Sequence, residues 1–305
     1  MYDLIIIGGG PAGVAAGVYA SRKQLKTLFI TKEWGGQSIV SPDIQNWIGT
    51  PNIPGEKLAK DLEEHLRAYA DEWVTILDNT LITNLEKTDE EVCVTDDGGE
   101  THKAKALLIA SGSKRRQLPA AGAAEFEHKG LTYCASCDGP LFSGQDVAVI
   151  GGGNAGFESA AQLLAYAKSV TLINRGETFK ADPITVEKVL ADDKITAITG
   201  ATTTKIHGEN FVSGLTYEKD GTETGLSVSG IFVEIGMIPN TEFIADAVEL
   251  DEYNRVKIDP WTQKTNVPGI WAAGDCTNIK YHQNNISAGD AVRALEDIYV
   301  TLKTA

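Results

Sequence analysis

One glycine pattern occurs twice in this chain, as Gly8-Gly9-Gly10-Pro11-Ala12-Gly13 and as Gly151-Gly152-Gly153-Asn154-Ala155-Gly156. Each copy follows a short apolar run, residues 4–7 and 147–150, and opens onto small and apolar residues at helical spacing, 11–20 and 157–167. A second apolar run follows each helix, at 27–30 and 169–173, completing a strand, turn, helix, strand unit. The glycines have separate tasks. Gly8 and Gly151 permit the turn, Gly10 and Gly153 let backbone amides approach a pyrophosphate, and Gly13 and Gly156 let helix and strand pack closely. Alone, such a spacing can be a simple tight turn; with the strand before and the helix after, it reads as a dinucleotide site. The predicted fold class is therefore α/β, with two Rossmann-like, three-layer dinucleotide-binding domains. The repeat is of whole binding units, which favours two Rossmann-type domains over a solenoid.

Between the two turns lies Cys134-Ala135-Ser136-Cys137-Asp138-Gly139. The chain has four cysteines, and its N-terminal apolar stretch is too short and lacks the basic flank of a signal peptide. A cytoplasmic protein with no membrane association is expected, and there a close cysteine pair is catalytic or metal-binding rather than a structural staple. Two cysteines separated by two residues at a helix start can close a small ring while the helix dipole favours the thiolate. Zinc is the alternative, but Cys93 and Cys276 are distant in sequence and no second Cys-x-x-Cys pair appears, so no metal is expected. Cys93, between Val92 and Val94, reads as a small buried apolar residue, and so does Cys276. Asp138 either exchanges protons with the thiols or caps the helix.

A hydrophobic content of 42% with 23% charged residues is that of a globular protein, and the net charge of −15 repels a phosphate backbone. Nucleic acid is excluded as a partner; Lys114-Arg115-Arg116 is a solvated linker or a local phosphate or partner contact. Late in the chain an apolar stretch ends in Gly274-Asp275, where the carboxylate either accepts from a ribityl or ribose hydroxyl or caps the next helix. If that strand belongs to the first domain, residues 1–112 and 245–305 form one discontinuous domain and 113–244 form an insertion.

The set made by both glycine turns, Gly35-Gly36-Gln37, Asn46-Trp47, Ala110-Ser111-Gly112, the cysteine pair and Gly274-Asp275 closely resembles the low-molecular-weight thioredoxin reductases. It is also similar to the flavoprotein subunit of alkyl hydroperoxide reductase without that protein's N-terminal thioredoxin-like domains. The resemblance covers essentially the whole chain. It implies FAD in the first domain, its pyrophosphate on Gly8, Gly10, Pro11, Ala12 and Gly13. Gly35, Gly36, Gln37, Asn46, Ala110, Ser111 and Gly112 would stand near the flavin, with Gly274, Asp275 and Gln283 near the ribityl chain and ring. Glu33 falls near the position of an adenosine-ribose carboxylate, and His282 stands where the family carries arginine.

In the inserted domain the resemblance implies NADH or NADPH on Gly151, Gly153, Asn154, Ala155 and Gly156, with Asn174, Arg175 and Lys180 around the adenosine ribose. NADPH-dependent relatives carry His-Arg-Arg-x-x-x-Arg there. This chain reads Asn174-Arg175-Gly176-Glu177-Thr178-Phe179-Lys180, so its grip on a 2′-phosphate is weakened and NADH or dual use is expected. By the same resemblance Cys137 is the thiol nearest the flavin, Cys134 attacks the substrate disulfide, and Asp138 exchanges the proton. The implied activity passes electrons from NAD(P)H through FAD and the Cys134/Cys137 pair to a thioredoxin-like or glutaredoxin-like protein, in a homodimer. A ferredoxin-dependent reductase or an oxygen-using dithiol oxidase of the same fold is the alternative, against which the intact second turn argues. Since the disulfide travels with the nicotinamide domain, that domain is expected to rotate about linkers near 112–119 and 236–241.

Overall fold

A computed structural model of the chain describes residues 1–304 apart from 42, 43, 71, 89, 90, 245 and 246, and leaves out the side chains of Val40 and Cys137. The domain boundary expected at 245 lies outside the described residues. The chain divides into two compact units, Met1–Lys114 with Ile238–Ala305, and Arg115–Met237.

The first unit begins with β1 (Tyr2–Gly9), α1 (Pro11–Arg22), β2 (Thr27–Trp34), α2 (Gly55–Tyr69) and β3 (Val74–Leu77). A meander of β4 (Ile82–Lys87), β5 (Val92–Asp96) and β6 (Thr101–Ile109) follows, and β7 (Ser113–Arg115) leads out. The second unit holds β8 (Leu131–Thr132), α3 (Ala135–Asp138), β9 (Asp146–Ile150), α4 (Asn154–Leu163), β10 (Ser169–Ile173), α5 (Pro183–Leu190) and β11 (Ile195–Ile198). Its own meander is β12 (Ala201–Gly208), β13 (Val212–Lys219) and β14 (Thr222–Leu226), after which the chain returns through β15 (Gly230–Val233) and β16 (Met237–Pro239). The first unit closes with β17 (Ile270–Ala272) and α6 (Asn284–Thr304).

Among the described residues the first unit contains a seven-stranded sheet in the order β3-β2-β1-β6-β5-β4, with β17 also on β6. β1 is parallel to β2 and β6, and β17 is parallel to β6, whereas β5 meets the start of β6 antiparallel. The inner stretches of the central strands, residues 4–7, 28–30 and 106–109, are apolar at every position because both faces are covered. Leu4, Ile6, Phe29, Leu108 and Trp271 pack in one cluster with residues of α1, α2 and α6. Ile5, Ile7, Leu28, Ile30, Leu107 and Ile109 point the other way and pack with Leu85, Val92 and Val94 of the meander. Full burial of each such side chain contributes roughly 1.5–3 kcal/mol, so the alternation pins the register of β1. Small residues on α1 permit its close packing: a Cβ on Gly17 would stand 2.8 Å from Leu66 Cδ1.

The second unit repeats the plan with a parallel five-stranded sheet, β11-β10-β9-β15-β8. Val147, Val149, Val170, Leu172 and Phe232 pack with Phe157, Ala160, Leu163 and Val189 on the helical face. Ala148, Ile150, Ile173, Ile231 and Val233 pack with Ile206, Val212 and Leu215 of the meander. The fold class is thus the expected α/β pair of Rossmann-like units, the third layer of each being a strand meander. In both sheets the strand feeding the glycine turn lies between the next strand of its own crossover and a strand arriving from elsewhere, β6 beside β1 and β15 beside β9. That reversal opens a crevice at the carboxyl ends of the strands, where ligands of such sheets bind. No described helix is long and apolar enough to cross a membrane.

Candidate functional site

In the first unit β1 ends at a backbone arrangement that excludes side chains. Gly8 has φ +121°, and a Cβ there would stand 2.1 Å from Ala110 O; a Cβ on Gly13 would stand 1.8 Å from Gly8 O. Gly10 is the N-cap of α1 and brings no side chain over the first amides. A cavity of about 870 Å³ opens there. Of the expected residues it is lined by Gly8, Gly10, Pro11, Ala12, Gly36, Gln37, Ala110, Ser111, Gly112 and Asp275, and Glu33 joins them. Gly13, Gly35 and Gly274 support the wall without lining it; a Cβ on Gly35, at φ +82°, would meet Ala59 Cβ at 2.3 Å. Asn46 and Gln283 are joined to each other, Asn46 Nδ2 donating to Gln283 Oε1 at 3.0 Å, and neither lines the cavity.

Gln37 Nε2 donates to Ser113 O. Asp275 Oδ1 accepts from Ser287 Oγ at 3.2 Å and lies 3.3 Å from His282 Nδ1, so the histidine that replaces the family's arginine is a direct neighbour of this carboxylate. Asp275 does not cap the next helix, which begins at Asn284. Sequence reasoning passed over other lining residues, among them Thr83, Asn240, Asn284 and Ser287. Asn240 is tied reciprocally to the wall: Ser111 Oγ donates to Asn240 O at 2.7 Å and Asn240 Nδ2 to Ser111 O at 2.9 Å. Cys276 is fully buried, and burial pushes its thiol up to about 11. Cys93 is only half-buried, against the expectation, because its strand pairs at the surface with Glu86 and Lys103 opposite it.

The second turn has the same construction. Gly151, at φ +135°, would place a Cβ 2.2 Å from Glu234 O, and a Cβ on Gly156 would lie 2.0 Å from Gly151 O. Gly153 is the N-cap, so α4 starts at Asn154, earlier than the apolar periodicity indicated, and Ala155 sits in its first turn. Asn154 Oδ1 accepts from Asp182 N at 2.8 Å, and Lys180 N donates to Gly152 O at 2.9 Å, so segment 175–182 folds back over the turn. Asn174 organises that return: its Nδ2 donates to Gly176 O at 2.8 Å and Thr178 O at 2.9 Å, which leaves Oδ1 as an acceptor. The side chains of Arg175 and Lys180 are exposed.

Cys134 is disulfide-bonded and half-buried. It stands two residues past the end of β8, whose parallel partner β15 lies beside β9. Cys137 lies in α3, and its side chain is outside the described ones. That helix has four residues, so its dipole gives less support to a thiolate than a full helix would. Thr132 Oγ1 donates to Asp138 Oδ2, while Asp138 Oδ1 is buried with no partner among the described residues. Glu234, unremarked in the sequence, accepts from Ser159 Oγ at 2.6 Å; burial pushes its carboxyl up to about 7.

Residues 2–289 match the pyridine nucleotide-disulphide oxidoreductase family. The F subunit of Staphylococcus aureus alkyl hydroperoxide reductase is 40% identical, and a Bacillus subtilis NADH dehydrogenase 36% identical, each over 96% of this chain. The chain spans 57% of the length of both. Among solved structures, Streptococcus pyogenes thioredoxin reductase is 32% identical with a TM-score of 0.87, the match covering 100% of this chain and 99% of that one. Giardia duodenalis thioredoxin reductase is 29% identical with a TM-score of 0.89 and the same coverage. Thioredoxin-reductase-like proteins of this kind use FAD and NAD(P)H. With two glycine turns built alike and the match running through both units, the chain belongs to the pyridine nucleotide-disulphide oxidoreductase family.

Proposed function

We propose that the chain is a flavin-dependent disulfide reductase. In this reading it passes electrons from NADH or NADPH through FAD and the Cys134/Cys137 pair to a thioredoxin-like or glutaredoxin-like protein, and works as a homodimer. The observation that carries the reading is a disulfide at Cys134, two residues past a strand of the same sheet that feeds the second dinucleotide turn.

The first cleft fits FAD. Its volume of about 870 Å³ falls in the range of ligand sites, roughly 300–1,000 Å³. Its lining offers a bare helix N-terminus for a pyrophosphate and the carboxylate of Asp275 for hydroxyl groups. Gly8, Gly10, Pro11, Ala12 and Gly13 would hold the pyrophosphate, Asp275 with Ser287 the ribityl hydroxyls, and Gly36, Gln37, Ala110, Ser111 and Gly112 the flavin end. When bound, FAD supplies the two-electron carrier between a nicotinamide and a disulfide.

The chain's own residues do the rest. Gly151, Gly153, Asn154, Ala155 and Gly156 would receive the nucleotide pyrophosphate. Asn174 offers a neutral acceptor where the adenosine ribose would lie, which favours NADH or use of both nucleotides. Cys134 is the attacking thiolate toward the acceptor protein. Asp138, oriented by the Thr132 hydroxyl and with one oxygen unpartnered among the described residues, holds the proton that leaves and returns with the thiol.

The test uses full-length protein loaded with FAD. NADH should bleach the flavin rapidly without oxygen and sustain reduction of a small thioredoxin-like protein. Cys134→Ser should keep the bleaching and lose the protein reduction. Protein reduction at the normal rate by the serine variant would refute the relay, and a flavin that neither nucleotide bleaches would favour a ferredoxin-fed relative.

A further inference from the structure

Glu234 directly follows β15, at the crevice where the strand order of the second sheet reverses between β9 and β15. Its backbone oxygen borders Gly151, the first glycine of the turn. Its carboxylate reaches α4, where Ser159 Oγ donates to Oε1 at 2.6 Å. The charged groups acting on it are Arg115 of β7, which favours its ionised form, and Glu158 of α4, which opposes it. Arg115 also lies over the ring of Tyr133, 5.3 Å from the centroid.

A dinucleotide bound at such a crevice lies across the reversal, with its adenosine ribose at the end of the strand that follows the turn's helix. Here that strand is β10, which carries Asn174 at its end. The nicotinamide half is left over β15, on the side of Glu234. We propose that Glu234 recognises the nicotinamide half of the bound nucleotide and favours the oxidised, cationic ring through its carboxylate. This rests on the reading that the second unit binds a nicotinamide nucleotide. The oxidised ring carries a positive charge that ADP-ribose lacks, so attraction to a carboxylate acts on NAD⁺ and not on ADP-ribose. Burial holds the Glu234 carboxyl up to about 7, so the attraction switches on near neutral pH.

Calorimetric titration of the oxidised FAD-loaded protein with NAD⁺ and with ADP-ribose, from pH 6 to pH 8, tests the proposal. In the unaltered protein NAD⁺ should tighten about tenfold relative to ADP-ribose across this range. Glu234→Gln should hold the ratio at its pH 6 value and leave ADP-ribose binding unchanged, which also reports that the turn is intact. Ser159→Ala removes a bond to the carboxylate and should move the midpoint to higher pH. An unmoved midpoint in Ser159→Ala, or the same rise in ratio in Glu234→Gln as in the unaltered protein, overturns the proposal while leaving the nucleotide site standing. ADP-ribose failing to bind the unaltered protein overturns the site itself, and the proposal with it.

Discussion

Alanine at either third glycine should separate the two dinucleotide sites. A Cβ on Gly156 would lie 2.0 Å from Gly151 O, and one on Gly13 would lie 1.8 Å from Gly8 O, whereas real Cβ contacts essentially never fall below 3.0 Å. Since each blocking atom is backbone, the helix must retreat from its turn by about 1 Å. An amide-to-phosphate hydrogen bond of about 2.9 Å then stretches to nearly 4 Å, beyond useful range. Loss of one such charge-assisted bond, about 1.5–3 kcal/mol, weakens binding by roughly 10- to 100-fold. Gly156→Ala should therefore lose nucleotide affinity by that factor and keep its flavin. Gly13→Ala should shed flavin on gel filtration and still bind ADP-ribose. Calorimetry with ADP-ribose and flavin absorbance after filtration read the two effects. Gly156→Ala binding ADP-ribose within twofold of the unaltered protein would refute the packing argument.

Three further outcomes follow from single side chains. Asp182 caps α5 by accepting from Thr185 N at 3.0 Å, so Asp182→Ala should lower stability by about 1 kcal/mol in urea titration. Cys276, fully buried with its thiol pushed up to about 11, should resist iodoacetamide at pH 8 while half-buried Cys93 reacts first, as peptide mass spectrometry would show. The Glu234 carboxyl stands at about 7 in the fold against an ordinary 4.5, so the folded chain holds an extra proton between these values. Its contribution is therefore present below pH 4.5 and lost as pH rises through 7, by at most about 3 kcal/mol. Glu234→Gln should flatten that part of the stability profile, and an unchanged slope between pH 5 and 8 would count against the assignment.

Both glycine turns were legible because their constraints are local. Gly8, Gly13, Gly151 and Gly156 are fixed by the backbone atoms each would strike, and the strand and helix beside them carry ordinary periodicity. The two meanders were not foreseen. Thr222–Leu226 is largely exposed and polar, so its alternation is faint, although Asp220 at φ +52° and Gly221 at φ +74° form the tight Asp-Gly turn that marks a hairpin. The distal cleft wall was hidden for a different reason. Asn284 and Ser287 follow β17, which joins β6 more than a hundred residues after the turn, and Asn240 is held there by its bonds to Ser111, which no local pattern records. His282 was visible as a departure from the family, but its pairing with Asp275 needed coordinates. Glu234 carries no local signal in the sequence, and only its bond to Ser159 and its place beside Gly151 separate it from an ordinary strand end.

The central claim is that one chain stores electron pairs in both a flavin and the Cys134/Cys137 pair. Anaerobic titration of the FAD-loaded protein with NADH, followed by flavin absorbance and by thiol counting after quenching, measures that capacity directly. The unaltered chain should take up twice as many NADH equivalents per flavin as Cys134→Ser, and the extra pair should appear as two new thiols. Equal uptake by the two proteins, with no thiols gained, would contradict the relay.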